Sequence, residues 1–454
     1  MKQRIIALCL TLALLLSLGA VTARAEEAPA GKTAEEPADG AALEEGGEAA
    51  ENETEEDAEA PSPAGPDKED ETPYEPDAVG TISFENLERR MRENNLNLLS
   101  LKELTAAVEV VDYDKMYDDL KDQLNSIAKM QWGMLEASHL PEESPYHMPM
   151  DSYAYGQLDQ AYDALRDTFD DLKDGKLQED NAGVIRQLKN AQDQVVMAGE
   201  SLFVALAGME SQQGALQRQL SAMNRTVEEL ELRYKLGQVS ALQLEQAKAG
   251  RTSLISGLGT LQMNIETYKT QLELLLGAEL TGEIALGAVP EVTAAQLEKM
   301  DLEKDLAAAK ERSYTVYDAD RTLEDAKDTY KDKGKKYGYN ESKYEFLAAK
   351  HQWQAAQYTH DAAIQNYELS FRTLYAQVGD YKQIFEAAKV SLASQQSSYG
   401  ASELQFRQGN LSKNKLLDAE DELRAAEDKV RTAAIDLFSA YNTYCWAVEH
   451  GILN

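Results

Sequence analysis

Apolar positions along most of the chain recur at alternating steps of four and three. Leu216, Leu220, Met223, Val227, Leu230 and Tyr234 follow this rule, and after a short break so do Leu254, Leu258, Leu261, Ile265, Tyr268, Leu272 and Leu275. Such spacing is the seam of a coiled coil, in which apolar side chains mesh as knobs into holes. It predicts one helix over about Ala182 to Leu236 and a second ending at Gly277. Farther on, Ile364, Phe371, Val378, Phe385, Leu392, Tyr399 and Phe406 recur every seven residues. A second stripe lies beside it, at Phe346, Ala349, Trp353, Ala356, Ala363, Tyr367 and Leu374. Two stripes on one helix require neighbours on both sides, as in a bundle or a closed wall. This helix is expected from about Glu341 to Arg407, roughly 100 Å at 1.5 Å per residue. The last helix follows Ser412, with Leu416, Ala419, Leu423, Ala426, Val430, Ala433, Leu437, Ala440 and Tyr444, and ends near Gly451.

The remaining pattern is weaker. A helix is expected from Ser83, a plausible N-cap, to about Glu136. Residues 137–152 carry Pro141, Pro145 and Pro149 and predict a loop. Helix resumes near Tyr153 and breaks around Asp174-Gly175. Residues 278–293 predict a connector with one short strand at Glu283 to Leu286. The second half is expected to be helical from near Gln296 to about Tyr330, with a loop over Lys331 to Asn340. Beyond the N-terminal 25 residues Val195 to Met209 comes closest to a membrane span, but it is short and Glu200 interrupts it, which predicts a helix interface instead.

Between the long helices one short pattern occurs twice. Arg233 to Ala247 contains Tyr234-Lys235-Leu236-Gly237-Gln238-Val239-Ser240, and Gln405 to Ala419 contains Phe406-Arg407-Gln408-Gly409-Asn410-Leu411-Ser412, at a constant offset of 172. Each reads aromatic, basic, any, Gly, polar, aliphatic, Ser. Glycine can take the left-handed conformation that ends a helix, and the serine hydroxyl can accept from the first N–H groups of the next. Each copy therefore marks the tip of a helical hairpin, and two copies mark an internal duplication.

Composition narrows the class. The chain has 454 residues and a net charge of −35. Lys2 and Arg4, the apolar run Ile5 to Leu16, and Ala23-Arg24-Ala25 read as a secretory leader cleaved after Ala25. Cys9 would leave with it, so Cys445 cannot form an internal disulfide. Residues 26–80 hold 20 acids against Lys32 and Lys68, and seven of the eleven prolines. Such a segment cannot bury enough apolar surface to fold, and reads as a spacer or a solubilising tail. The acidic balance argues against nucleic acid as a partner.

The paired turns between long helices resemble those of the TolC family of outer-membrane efflux channels. Glu85 to Asn95, an amphipathic turn followed by Glu93-Asn94-Asn95, is similar to that family's opening. The resemblance covers about residues 81–450. It implies a trimer in which each protomer gives two hairpins to a hollow cylinder of helices. It implies a passive conduit whose tips meet a membrane-fusion adaptor attached to an inner-membrane pump. The adaptor contacts implied are Leu236, Gly237, Gln238, Val239 and Ser240, with Gln408, Gly409, Asn410, Leu411 and Ser412. A tip constriction lined by carboxylates in the family maps to Lys415 and Asp418 here. On the first hairpin Gln243 holds the matching place and Glu245 lies just beyond it. Family members also insert two strands per repeat to build a membrane barrel. A spanning hairpin needs more than about 20 residues; 331–340 is too short, and 137–152 is barely long enough and carries three prolines, which strands reject, so no barrel is expected.

Other candidates carry an ordinary reading beside the functional one. Lys331, Lys333, Lys335 and Lys336 with Tyr337 and Tyr339 form a basic aromatic cluster, able to touch a membrane or wall polymer or to remain a solvated loop. His139, His147, Met148 and Met150 with Glu142 and Glu143 could hold Cu(I), although the spacing matches no known site. His351 and His360 are expected to pack or to face a lumen. Glu245 and Asp418 could line a pore or lie on exposed helix. No catalytic constellation or cofactor motif is present, so no enzyme is expected.

These observations predict an all-α protein of very long coiled-coil hairpins in two repeats, a TolC-like α-barrel protomer with little or no β. The expected divisions are a leader at 1–25, an acidic linker at 26–80, a first repeat at 81–276, a connector at 277–300 and a second repeat at 301–454. The function expected is an exported efflux-channel component of the cell envelope. The rivals are a coiled-coil scaffold without transport and a helical pore-forming toxin; the toxin needs an apolar insertion hairpin that the sequence lacks.

Overall fold

A computed structural model describes residues 77–453. The expected leader, and the acidic linker as far as residue 76, lie outside the described residues. The chain begins with β1 (Thr81–Ile82), α1 (Phe84–Asn94), α2 (Leu96–Glu109), α3 (Tyr113–His139) and α4 (Ser152–Lys173). The first long hairpin is α5 (Lys176–Lys235) and α6 (Ala241–Leu275). Then come β2 (Ala285–Leu286), α7 (Ala294–Glu298), α8 (Leu302–Arg312) and α9 (Tyr314–Tyr337). The second long hairpin is α10 (Tyr344–Arg407) and α11 (Lys413–His450). α5 and α10 run 60 and 64 residues, roughly 90–95 Å each.

The long helices form a single layer. α6 packs on α5, α5 on α11, and α11 on α10, while α6 and α10 are not packed on each other. Both stripes of α10 find neighbours, as two seams require. Phe346 and Trp353 meet Tyr330 of α9 at ring distances of 5.5 and 4.7 Å, and Phe371 meets Tyr444 of α11 at 5.7 Å.

The core sits at a waist about midway along the layer. One cluster gathers Leu87, Met91, Phe203, Leu206, Leu272 and Leu276, and the other gathers Leu306, Ala309, Phe371, Val378, Leu437 and Ala447. Val195 to Met209 crosses this waist with Val196, Met197, Phe203, Val204 and Leu206 buried, so the apolar run is a helix interface as expected. Glu200 within it is buried and accepts from Asn442 Nδ2 (2.7 Å) and Trp446 Nε1 (2.6 Å), tying α5 to α11. Burial raises its pKa above the ordinary value, and those two hydrogen bonds only partly offset the cost. Glu273 clamps the connector: its carboxylate accepts from Gly282 N (2.7 Å), Ile284 N (3.2 Å) and the Thr281 hydroxyl (2.8 Å). This steers β2 into parallel pairing with β1, Thr81 opposite Ala285 and Ile82 opposite Leu286. The short strand at 283–286 is present, and its partner at 81–82 was not foreseen.

Several expected boundaries need correction. The helix expected from Ser83 to Glu136 is three. Asn95 leaves helical conformation (φ −71°, ψ 118°), its side chain caps α2 by accepting from Asn97 N and Leu98 N, and its amide donates to Leu275 O (2.8 Å). Asp112 then caps α3 by accepting from Lys115 N. α5 starts at Lys176, six residues before the expected Ala182, because left-handed Gly175 (φ 79°) makes a compact break after α4. The helix expected from Gln296 to Tyr330 is also three, broken at residues 299–301 and at Ser313. The loop expected at Lys331 to Asn340 is mostly helix: α9 continues to Tyr337 and stops at left-handed Gly338 (φ 62°). Lysine is a good helix former and favours the negative end of the helix dipole, so a run of lysines extends α9 where a loop was expected.

Candidate functional site

The two tip turns are built alike. In the first, Gly237 N donates to Tyr234 O (2.9 Å) and Gln238 N to Arg233 O (2.9 Å); in the second, Gly409 N donates to Phe406 O and Asn410 N to Gln405 O, again at 2.9 Å. The glycines have φ of 71° and 76°. The serines follow in extended conformation, Ser240 at −76°, 154° and Ser412 at −76°, 156°. Each hydroxyl accepts from the N–H three residues on, that of Gln243 or Lys415. Only the first turn closes a capping box, because Gln243 returns a side-chain acceptor to Ser240 N (3.0 Å) and Lys415 has none to give.

The two tips lie at one end of the molecule. α5 and α11 run antiparallel there, joined by ion pairs between Arg218 and Asp428 and between Arg225 and Asp421, and by Asn414 Nδ2 donating to Glu229 Oε2 (3.1 Å). Leu236, Gly237, Gln238 and Ser240 are exposed, as are Gln408, Gly409, Asn410 and Ser412, while Val239 and Leu411 are half-buried under the turns. Leu232, Tyr234, Leu242, Leu404 and Phe406 add exposed apolar surface beside them. Among the candidate constriction residues, Lys415 lies 3.6 Å from Asp418 on its own helix, and Glu245 lies 3.5 Å from Lys248. All three candidates are exposed, and each acid has a lysine beside it.

At the opposite end stand two further hairpins. α3 and α4 pack on each other, and so do α9 and the start of α10. The residues 140–151 and 338–343 that join them hold no strand, so at both places where the family resemblance implies membrane strands the described chain turns from helix to helix. Lys331, Lys333, Lys335 and Lys336 occupy the last two turns of α9. Lys331 and Lys335 have Asp328 and Asp332 beside them, and Lys336 lies 5.8 Å from the Tyr337 ring centre. No described helix is long and apolar enough to cross a membrane.

The other candidates are engaged otherwise. His139 Nδ1 lies 2.7 Å from Leu135 O and His147 Nδ1 2.8 Å from Leu140 O, and no metal-holding cluster of His, Cys, Asp and Glu forms among the described residues. His360 packs against α9, its ring nitrogens 2.7 Å from Asp320 and 3.2 Å from Asp361, which raise its pKa; His351 is exposed. Burial pushes the Cys445 thiol up to about 11, leaving it a poor nucleophile. Sequence reasoning missed the α5–α11 ion pairs. Their signal was available: Arg218 and Arg225 are seven apart, as are Asp421 and Asp428.

No protein-family model and no curated protein matches the chain. Among solved structures it is similar to the outer-membrane channel OprN, at 12% identity and TM-score 0.48, over 81% of this chain and 90% of that one. It is similar to the outer membrane protein VceC of Vibrio cholerae at 13% identity and TM-score 0.46, over 81% and 96%. It is similar also to the open-state outer membrane channel MtrE of Neisseria gonorrhoeae, at 14% identity and TM-score 0.45, over 81% and 89%.

Proposed function

We propose that this chain is one staff of a closed helical conduit in the cell envelope, exported by its leader and acting as a passive component of an efflux or export system. One observation carries the reading: the layer α6–α5–α11–α10 is open, and its two edges are unlike. Both edge helices carry exposed apolar side chains. Ile255, Met263 and Leu274 are exposed on α6, and Leu369, Ile384 and Val390 on α10. An unpartnered edge can be covered by the unlike edge of another copy, and a head-to-tail contact repeated by a constant rotation closes a ring. Three copies is the number that the family resemblance implies. The exposed turns Leu236 to Ser240 and Gln408 to Ser412 then crown one end of the ring and are the proposed contacts for an adaptor protein attached to a pump. A constriction at Glu245, Lys415 and Asp418 would be charge-balanced, since lysines stand beside the acids. The conduit needs no chemistry of its own.

The test is the mass of residues 26–454 in solution by light scattering at two concentrations, with disulfide trapping between cysteines introduced on α6 and α10. A stable oligomer trapped only across unlike edges supports the conduit. A persistent monomer in which the edges stay apart overturns it. The helical hairpins standing at 113–173 and 314–350 favour a second reading, an envelope scaffold without transport. A closed ring that passes no small solute when reconstituted between two compartments would decide for that scaffold.

A further inference from the structure

The hairpin α3–α4 ends in a convex tip whose apolar side chains face solvent. Tyr146 is 76% exposed, Met148 66% and Tyr153 77%, with Met150 beside them and Trp132 (70%) about 10 Å down α3. This is a built surface. Met148 N donates to Ala137 O (3.2 Å), His147 N to Ser144 O (3.0 Å) and Ser144 N to Pro141 O (2.9 Å), so the loop is folded back on the end of α3 and holds its side chains outward. Only Leu120 and Leu124 of α3 and Leu172 of α4 are buried, all remote from the tip.

The position is equally specific. Asn181 Nδ2 donates to Tyr113 Oη (2.8 Å) at the root of α3, and Arg321 of α9 donates to Glu179 O (2.8 Å). Both far-end hairpins therefore leave the wall at the level where α5 begins, roughly 80 Å from its tip turn. From that level α3 runs 27 residues, roughly 40 Å, whereas α9 runs from Arg321 only to Tyr337, roughly 25 Å. The longer prong is the one with the apolar tip.

We propose that the α3–α4 tip inserts shallowly into the interface of a lipid bilayer, docking this end of the protein on a membrane that no described helix crosses. Tyrosine and tryptophan combine an apolar body with a polar edge and settle at the headgroup level, and methionine adapts to a disordered apolar phase. Interfacial segments reach roughly 5–10 Å into the headgroup and acyl boundary, the depth that Tyr146 to Tyr153 can supply. The surface favoured is a neutral one. Glu142, Glu143 and Asp151 flank the apolar residues and repel anionic headgroups. The lysines of the shorter prong are set back from that plane. The proposal stands whether or not copies close into a ring.

The test uses residues 26–454 and phosphatidylcholine vesicles, with and without anionic lipid. Trp132 reports directly, because Trp446 is buried and Trp353 is stacked on Tyr330. The expected result is flotation with neutral vesicles, little affected by salt, and a blue shift of emission that disappears in Trp132→Phe. Replacing Tyr146, Met148 and Met150 by serine should lower the bound fraction at least tenfold with helicity and oligomer mass unchanged. Lys333→Glu with Lys336→Glu should leave binding intact. Absence of flotation and of any emission shift overturns the proposal. Binding that requires anionic lipid and is lost in the lysine variant also overturns it, in favour of the α9 end.

Discussion

In both repeats the chain leaves a long helix through a left-handed glycine, with φ differing by only 5° between Gly237 and Gly409, and re-enters helix at a serine cap. The waist repeats as well. Gly277 at the end of α6 lies against Asn94, next to the α1–α2 break at Asn95, and Gly451 at the end of α11 lies against Ser313, the break between α8 and α9. Beyond the waist the copies part. In the first repeat Gly175 separates α4 from α5, whereas in the second one unbroken helix of 64 residues serves both roles. The tip and waist are places where backbone geometry leaves few choices: a turn with φ above zero, or a backbone approach too close for a side chain. The far end also turns at left-handed glycines, Gly175 and Gly338, but these fall at different places in the two halves, root in one and tip in the other, and the halves differ there in length and surface.

If that contrast is right, the largest effects fall at the waist. Phe371→Ala, in the core, should cost about 3–5 kcal/mol in urea unfolding, whereas Phe406→Ala in the same heptad stripe near the exposed tip should cost well under half as much. Equal costs would mean that the tip is packed in solution, as a ring or a bound partner would make it. Next comes Glu200. Replacement by leucine strands the donors of Asn442 and Trp446 and should cost about 1–3 kcal/mol, while Glu200→Gln retains an acceptor and should be near neutral or stabilising at pH 7. The sign follows from linkage. A carboxyl whose folded pKa is raised binds more protons folded than unfolded. Its contribution is complete below the ordinary value of 4.5 and fades as pH rises through the raised value. The glutamine variant should show a flatter stability–pH profile over that window.

Valine at Gly237 or Gly409 comes third, about 1–2 kcal/mol each by thermal unfolding, since a β-branched residue is forced to positive φ. The two losses should agree within a few tenths if the turns are as alike as their hydrogen bonds. Serine to alanine at the caps should cost about 1 kcal/mol, somewhat more at Ser240 than at Ser412 because only the first loses a capping box. The smallest effect belongs to the half-exposed pair Arg225–Asp421, where a double-mutant cycle should give under about 1 kcal/mol, weakening with salt.

Sequence reasoning read the long helices and both tips because their signals are local and repeated: heptads of leucine and phenylalanine, and a glycine and a serine at fixed offsets. It erred where tertiary contacts decide. Asn95 breaks a helical pattern because its side chain has a distant carbonyl to bond, that of Leu275, and no window of neighbouring residues records that. The pairing of β1 with β2 depends on residues some 200 positions apart in the chain. The lysines of α9 look like loop by charge and are helix by propensity. The exposed tip residues Met148 and Met150 read in the sequence as possible metal ligands, because composition alone does not say which way a side chain faces.

If copies close edge to edge as proposed, the unlike edges of the helical layer have a genetic consequence. A subunit damaged on its α6 edge alone would still offer a sound α10 edge to a neighbour, join the growing assembly and then block its closure. Such an allele would poison the product of an intact gene beside it, while an allele lacking the chain altogether would be recessive. Two subunits damaged on opposite edges would fare no better together than apart, since every closed circle needs each of its members whole on both sides.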